Sequence, residues 1–149
     1  MELIDADATE KLGRDIIELL PEDSAGWMIL LQGELGAGKS TLARSMIRAL
    51  GHQGNVPSPT YTLVEPYRLN SLTVYHVDLY RIADASELEF LGWSDIRDGL
   101  ALIEWPERVK DLVEQGDVLI DLSYRGDGRN AEISGISERG REAIEAVLL

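Results

Sequence analysis

An α/β domain, with a central mixed β-sheet between layers of helix, is the architecture this sequence predicts. Three patterns carry the expectation. Short apolar runs such as "MILL" (28–31) and "LALIE" (100–104) have the length of buried strands. Segments with apolar residues three and four apart, such as "DATEKLGRDIIELL" and "TLARSMIRAL", alternate with them. Two strand–turn–strand patterns add hairpins to an otherwise parallel sheet. At 149 residues the chain suits one domain, 1–149. A domain of this size buries roughly 70% of its unfolded surface, so it needs no covalent staple, and it has no cysteine to make one.

Taken in order, "DATEKLGRDIIELL" reads as an amphipathic helix with Asp7 and Glu10 at capping-box spacing, ended by Pro21. A strand at 28–31 runs through a glycine-rich turn into a helix from about Lys39 to Leu50, closed by Gly51. "GHQGNVPSPT" is a loop, because glycine, asparagine and proline punctuate it. "YTLVEPY" and "LTVYHVDLY" form a hairpin around "RLNS", with the proline marking an edge strand. "DASELEFLGW" is a short helix with Asp84 and Glu87 at capping-box spacing. "GLALIEW" is a strand, and "PERVKDLVEQG" a helix with Pro106 near its start and Gly116 at its end. "DVLIDLSY" and "NAEISGI" are strands around "RGDGR", and "SERGREAIEAVLL" closes as a helix.

The chemistry starts at Gly33-Glu34-Leu35-Gly36-Ala37-Gly38-Lys39-Ser40, which matches GxxxxGK(S/T) without a mismatch. Glycines let backbone N–H groups curl around an anion, and the helix that follows offers unpaired N–H groups and the positive end of its dipole. Lys39 then reaches the β- and γ-phosphates, and the Ser40 hydroxyl ligates Mg²⁺. A chance glycine-rich turn would not be expected between an apolar strand and a capped helix. The motif predicts a nucleoside-triphosphate site, and the fold becomes a P-loop NTPase-like three-layer sandwich.

Charge narrows the partners. There are 27 acidic and 14 basic residues, a formal net charge of −13. A phosphate backbone repels such a chain, which disfavours tight, direct nucleic-acid binding. Arg125, Arg129, Arg139 and Arg141 are the nearest to a basic patch, and they read more simply as scattered solvated charges. No apolar run approaches the roughly 20 residues of a membrane span. The acidic start "MELIDADATEKLG" lacks a signal-peptide core. A soluble, cytoplasmic protein is expected.

Hydrolysis needs more than a P-loop, namely a metal-side carboxylate and a group near the γ-phosphate. Ser58-Pro59-Thr60 is either a γ-phosphate-sensing switch or an ordinary proline-rich strand entry. Asp78 ends "YHVD"; it orients water or a Mg²⁺ hydration shell, or else it is a solvated aspartate or a partner for Arg81. His76 reads as a structural hydrogen-bonding residue and not a metal ligand, since His52 is the one other histidine. Glu104 ends the apolar run "LALI", the layout of a Walker-B metal carboxylate, with a solvated strand end as its alternative. Trp105 either walls the site or packs in the core.

In this order, "GELGAGKST", "SPTYTLVEPY", "YHVDLYR", "ELEFLGW" and "IEWPER" resemble the TsaE family over nearly the whole chain. The resemblance implies a small Mg²⁺-dependent ATPase needed for threonylcarbamoyladenosine modification of tRNA at position 37. It would be weakly active alone, and would act on the TsaD–TsaB pair rather than on tRNA. It places the ATP loop on Gly33, Leu35, Gly36, Ala37, Gly38, Lys39, Ser40 and Thr41, with Thr60 in the switch. It implies Ser40 and Glu104 as metal ligands, and Lys39, Asp78 and Glu104 as the catalytic set. Many members have threonine at Ser40, and either hydroxyl serves. Thr9 and Arg129 are weakly supported neighbours of the adenosine. A small-molecule kinase is the alternative, although an arginine-rich lid is not evident beyond "RGDGR". A guanine-specific switch would carry an NKxD loop, which this sequence lacks.

Overall fold

The computed structural model describes residues 1–59 and 62–148. Its elements are β1 (Glu2–Leu3), α1 (Ala6–Leu19), β2 (Met28–Gly33), α2 (Lys39–Ala49), β3 (Val64–Leu69), β4 (Leu72–Asp78), α3 (Trp93–Asp98), β5 (Leu100–Glu104), β6 (Val118–Arg125), β7 (Gly128–Gly135) and α4 (Glu138–Leu148). They build the expected mixed sheet, seven strands in the order β1-β7-β6-β2-β5-β4-β3. The centre is parallel: β6, β2, β5 and β4 run the same way. Both edges are antiparallel, through the β3–β4 and β6–β7 hairpins and the short β1. Pro66 lies in the edge strand β3, where a missing N–H costs no ladder bond.

Side-chain alternation divides the central strands between two cores. Ile29, Leu31, Leu100, Leu102, Val74, Val118 and Ile120 pack with Leu12 and Ile16 of α1 and Leu42, Met46 and Ile47 of α2. Met28, Leu30, Val77, Ala101 and Ile103 pack on the opposite side with Leu79, Ile82, Leu88, Ile96, Val109 and Leu112. Val74 and Val77 therefore serve different cores. The sheet's carboxyl edge, where β2, β5 and β4 all end, is left to polar residues.

Three local expectations change. Asp5 and not Asp7 caps α1, accepting from Ala8 N at 2.9 Å. The segment 85–91 is a 3₁₀ helix that keeps its Asp84–Glu87 capping box, and α3 follows it. "PERVKDLVEQG" is not a helix but two 3₁₀ turns, Pro106–Arg108 and Val113–Gln115. Val109 is extended there and Asp111 is left-handed at φ 67°, which drops Val109 and Leu112 into the second core. Burial overrides the helical spacing.

At the other edge of the sheet, Asp117 fastens β2, β6 and α4 together. Its carboxylate accepts from Met28 N at 2.8 Å, Ser137 Oγ at 2.7 Å and Arg139 Nε at 2.8 Å. The Arg139 guanidinium also lies 4.5 Å over the Trp27 ring. Burial pushes the Asp117 carboxyl up, but the bonds from Arg139, Ser137 and Met28 N outweigh it and hold it below the usual range. A depressed folded-state value means the contribution is complete above the unfolded value and is lost as pH falls through the folded one. Asp117→Ala should cost about 1–3 kcal/mol at neutral pH by stranding the buried Met28 N–H. In acid the gap to the wild type should shrink, which urea melts at the two pH values would measure.

Candidate functional site

The strand β2 ends in the glycine-rich loop because its backbone has no room for a side chain there. A Cβ on Gly33 would lie 2.4 Å from the Leu122 carbonyl oxygen of β6. Gly36 and Gly38 take φ of 82° and 106°, a region other residues enter only at a cost. Gly38 is the N-cap of α2, with no side-chain cap, so the first amides of α2 remain available to an anion. The loop is also held from outside. Tyr124 Oη donates to Leu35 O at 2.7 Å, Arg129 donates to Gly36 O at 3.2 Å, and the two side chains stack at 4.3 Å.

Lys39 opens α2 and is buried. Its Nζ donates to the carbonyls of Gly33 and Glu34 and lies 4.1 Å over the Trp105 ring. Burial lowers its pKa, while Glu104, Glu107 and Asp78 pull it back up. The next residue, Ser40, donates to both oxygens of Glu104, at 3.1 and 3.3 Å. Glu104 is only 3% exposed, so it is not a solvated strand end. Asp78 lies beside it in the β4–β5 register, 6% exposed, and accepts from Tyr80 N at 2.9 Å. Burial raises the Asp78 pKa; the Tyr80 bond opposes this, and the Glu104 charge adds to it.

Lys39, Ser40, Asp78 and Glu104 are thus brought together, although 65 residues separate Lys39 from Glu104 in sequence. Trp105 walls the group: its backbone is left-handed at φ 59°, and its ring meets Tyr80 at 4.9 Å. Leu63, also left-handed at φ 69°, gives its carbonyl to Asp78 N, so the loop carrying Ser58 and Pro59 returns next to Asp78. Thr60 lies outside the described residues. On the α1 side, Thr9, Gly36, Gly38, Thr41 and Arg129 line a cavity of about 180 Å³, which unites the two weakly supported residues at the loop. Ala37 is buried beneath the loop and Leu35 projects from its tip. His76, Tyr80 and Tyr124 were not assigned to the site by sequence. The alternation of "VYHVD" places His76 on the Asp78 face, which was the available signal.

The family model for "Threonylcarbamoyl adenosine biosynthesis protein TsaE" matches residues 3–132. The chain belongs to the TsaE family. That membership places it among the proteins of threonylcarbamoyladenosine biosynthesis in tRNA. It is 47% identical to the tRNA threonylcarbamoyladenosine biosynthesis protein TsaE of Haemophilus influenzae over 80% of this chain and 77% of that one. The protein of the same name from Synechocystis is 41% identical over 76% and 73% of the two chains. The solved structure of Bacillus YdiB superposes with a TM-score of 0.77 at 23% identity, covering 98% of this chain and 90% of that one, which supports the fold alone. No helix of the TsaE-family chain, among the described residues, is long and apolar enough to cross a membrane.

The raised pKa of Asp78 has a consequence for stability. A carboxyl raised in the folded state favours the fold below its unfolded pKa and weakens it as pH rises through the folded value. Asp78→Asn keeps an acceptor for Tyr80 N and removes the buried charge. It should raise Tm by a few degrees at neutral pH, and the gain should vanish in acid, where the wild-type carboxyl is itself neutral. Calorimetry at both pH values would measure it.

Proposed function

We propose that this chain is an ATP-binding, Mg²⁺-dependent ATPase of tRNA threonylcarbamoyladenosine biosynthesis that acts on the TsaD–TsaB pair and not on tRNA directly. The observation that carries this reading is the meeting of the Ser40 hydroxyl and the Glu104 carboxylate, at 3.1 and 3.3 Å, one residue from Lys39. A half-buried hydroxyl beside a buried carboxylate at the start of a P-loop helix is an all-oxygen donor set, which suits Mg²⁺. Ser40 and Glu104 would hold the ion, which would supply positive charge to offset what develops on the phosphate oxygens.

The protein's own groups do the rest. The loop amides and the α2 N-terminus hold the phosphates. Lys39 can exchange its bonds to the Gly33 and Glu34 carbonyls for phosphate oxygens, and it stabilises the departing γ-phosphoryl charge. Asp78, held by Tyr80 N, orients a water for in-line attack or the hydration shell of the ion. Its raised pKa follows from the dry setting in which such a carboxylate works. Trp105 and Tyr80 keep bulk water from the Lys39 ammonium. The adenosine would enter the cavity beside Thr9 and Arg129. Lys39 is faced by three carboxylates, so the site resists a metal-free triphosphate. The net charge of −13 argues for a protein partner over tRNA, and a cytoplasmic setting follows from that role.

The decisive test is ATP hydrolysis by the purified chain, measured with and without TsaD–TsaB. Slow turnover that the pair accelerates is expected; the absence of hydrolysis in both would overturn the reading. Lys39→Ala should cost about 10²-fold or more in turnover. Glu104→Gln should leave the thermal melt nearly unchanged while abolishing Mg²⁺-dependent turnover, and retained turnover would return Glu104 to a structural role.

The partner preference has its own measurement. Docking should be tighter with a non-hydrolysable ATP analogue than with ADP, because only the γ-phosphate distinguishes the two states. Linkage then makes the partner tighten the ATP state by the same factor. Titrations of labelled TsaD–TsaB in each nucleotide would show it, and equal affinities would remove the switch.

A further inference from the structure

His76 is the buried group that the proposed mechanism leaves unused. It is 1% exposed, and its Nε2 lies 2.6 Å from Oε2 of Glu104. Register explains the contact. His76 pairs with Leu102 across β4–β5, so it sits on the Glu104 face, two residues before Glu104 along the strand direction. Its other nitrogen, Nδ1, is buried with no hydrogen-bond partner among the described residues.

That asymmetry assigns the ring. With the hydrogen on Nε2, the imidazole donates to the carboxylate and leaves only a lone pair unmet at Nδ1. The other neutral tautomer would set a lone pair against the carboxylate and strand an N–H at Nδ1, which is the worse arrangement on both counts. Of the two neutral forms, the one with its hydrogen on Nε2 suits this contact, and through it the ring gives Glu104 a fixed donor. A carboxylate has about four lone-pair sites. His76 and Ser40 occupy some of them and leave others for a cation.

We infer that His76 is a positioning residue, locking the Glu104 side chain in the orientation that meets Ser40 and a divalent cation. The inference rests on the ATP–Mg²⁺ reading above. A purely structural role is the competing account, and it has a weakness. His76 belongs to the strand face whose neighbours Val74 and Leu102 are aliphatic, and an aliphatic residue would pack there without burying a polar ring. What the histidine adds is a second fixed contact on Glu104. Partners of this kind orient metal ligands and set their affinity.

Two variants of similar polarity separate the accounts. His76→Gln carries an amide nitrogen to about the reach of Nε2, whereas His76→Asn stops short, near Nδ1. The measurement is Mn²⁺ binding, as a spectroscopic substitute for Mg²⁺, to the full chain with ADP, read from the electron paramagnetic resonance of free Mn²⁺. His76→Asn should weaken Mn²⁺ binding about 10–100-fold, and His76→Gln should recover most of that loss. ADP affinity without metal should stay unchanged in both. His76→Phe keeps a ring in the slot without a donor and should behave as His76→Asn does.

Wild-type Mn²⁺ affinity in His76→Asn or His76→Phe would overturn the role, as would a loss in His76→Gln as large as theirs. If neither His76→Asn nor His76→Phe folds while His76→Gln does, the bond serves the fold and the positioning role is overturned. If the wild type itself shows no ADP-dependent Mn²⁺ binding, the nucleotide–metal reading falls and takes this inference with it.

Discussion

The parallel register across β2, β5 and β4 is the constraint on which the site depends. Leu31 pairs with Glu104, and Glu104 pairs with Asp78. Because paired residues share a face, both carboxylates project to the side on which α2 packs, just beyond the layer of Ile29, Leu102 and His76. A slip of one residue would send Glu104 to the opposite core and replace it with Ile103. The two hydrophobic cores therefore act as the alignment device for the polar edge: each aliphatic residue that must stay buried votes for the register that seats the carboxylates.

That arrangement runs against the preference of charge for water. Asp78, Glu104, His76 and Lys39 are all among the buried residues of the chain. They are tolerated because each finds a partner: Asp78 has Tyr80 N, Glu104 has Ser40, His76 Nε2 has Glu104, and Lys39 has the Gly33 and Glu34 carbonyls. Strain is found in the same place. Leu63 and Trp105 are both left-handed; Leu63 O accepts from the backbone N of Asp78, and Trp105 directly follows Glu104. Residues of these types leave the ordinary backbone regions only where the surroundings compel them.

Much of this was legible beforehand, for reasons that differ by segment. The glycine-rich loop reads from sequence because its pattern is local: glycines, lysine and hydroxyl fall within eight residues, between a strand and a helix. The hairpins read because alternation and turn residues are local too. "PERVKDLVEQG" misled because proline at its start and glycine at its end mimic helix boundaries, while the burial of Val109 and Leu112 is decided by residues far along the chain. His76 was placed in a structural role without a partner, since its contact with Glu104 arises only once β4 and β5 are paired. Tyr124 could not be found at all from its neighbourhood, because the loop it braces lies 89 residues earlier.

The Tyr124 and Arg129 contacts have a further consequence. They lie on the β6–β7 hairpin, and they fix the carbonyls of Leu35 and Gly36 from the outside. A glycine-rich loop left to itself would sample many shapes and would have to surrender that freedom each time a ligand arrived. Here the freedom is surrendered when the chain folds, so under the proposed function the loop would meet its anion already arranged. The tightness of a short loop near the amino terminus is in this sense set by a distant hairpin. Loosening the turn at Gly126 and Asp127 would return that freedom to the loop as added entropy, although no residue of the loop itself had changed.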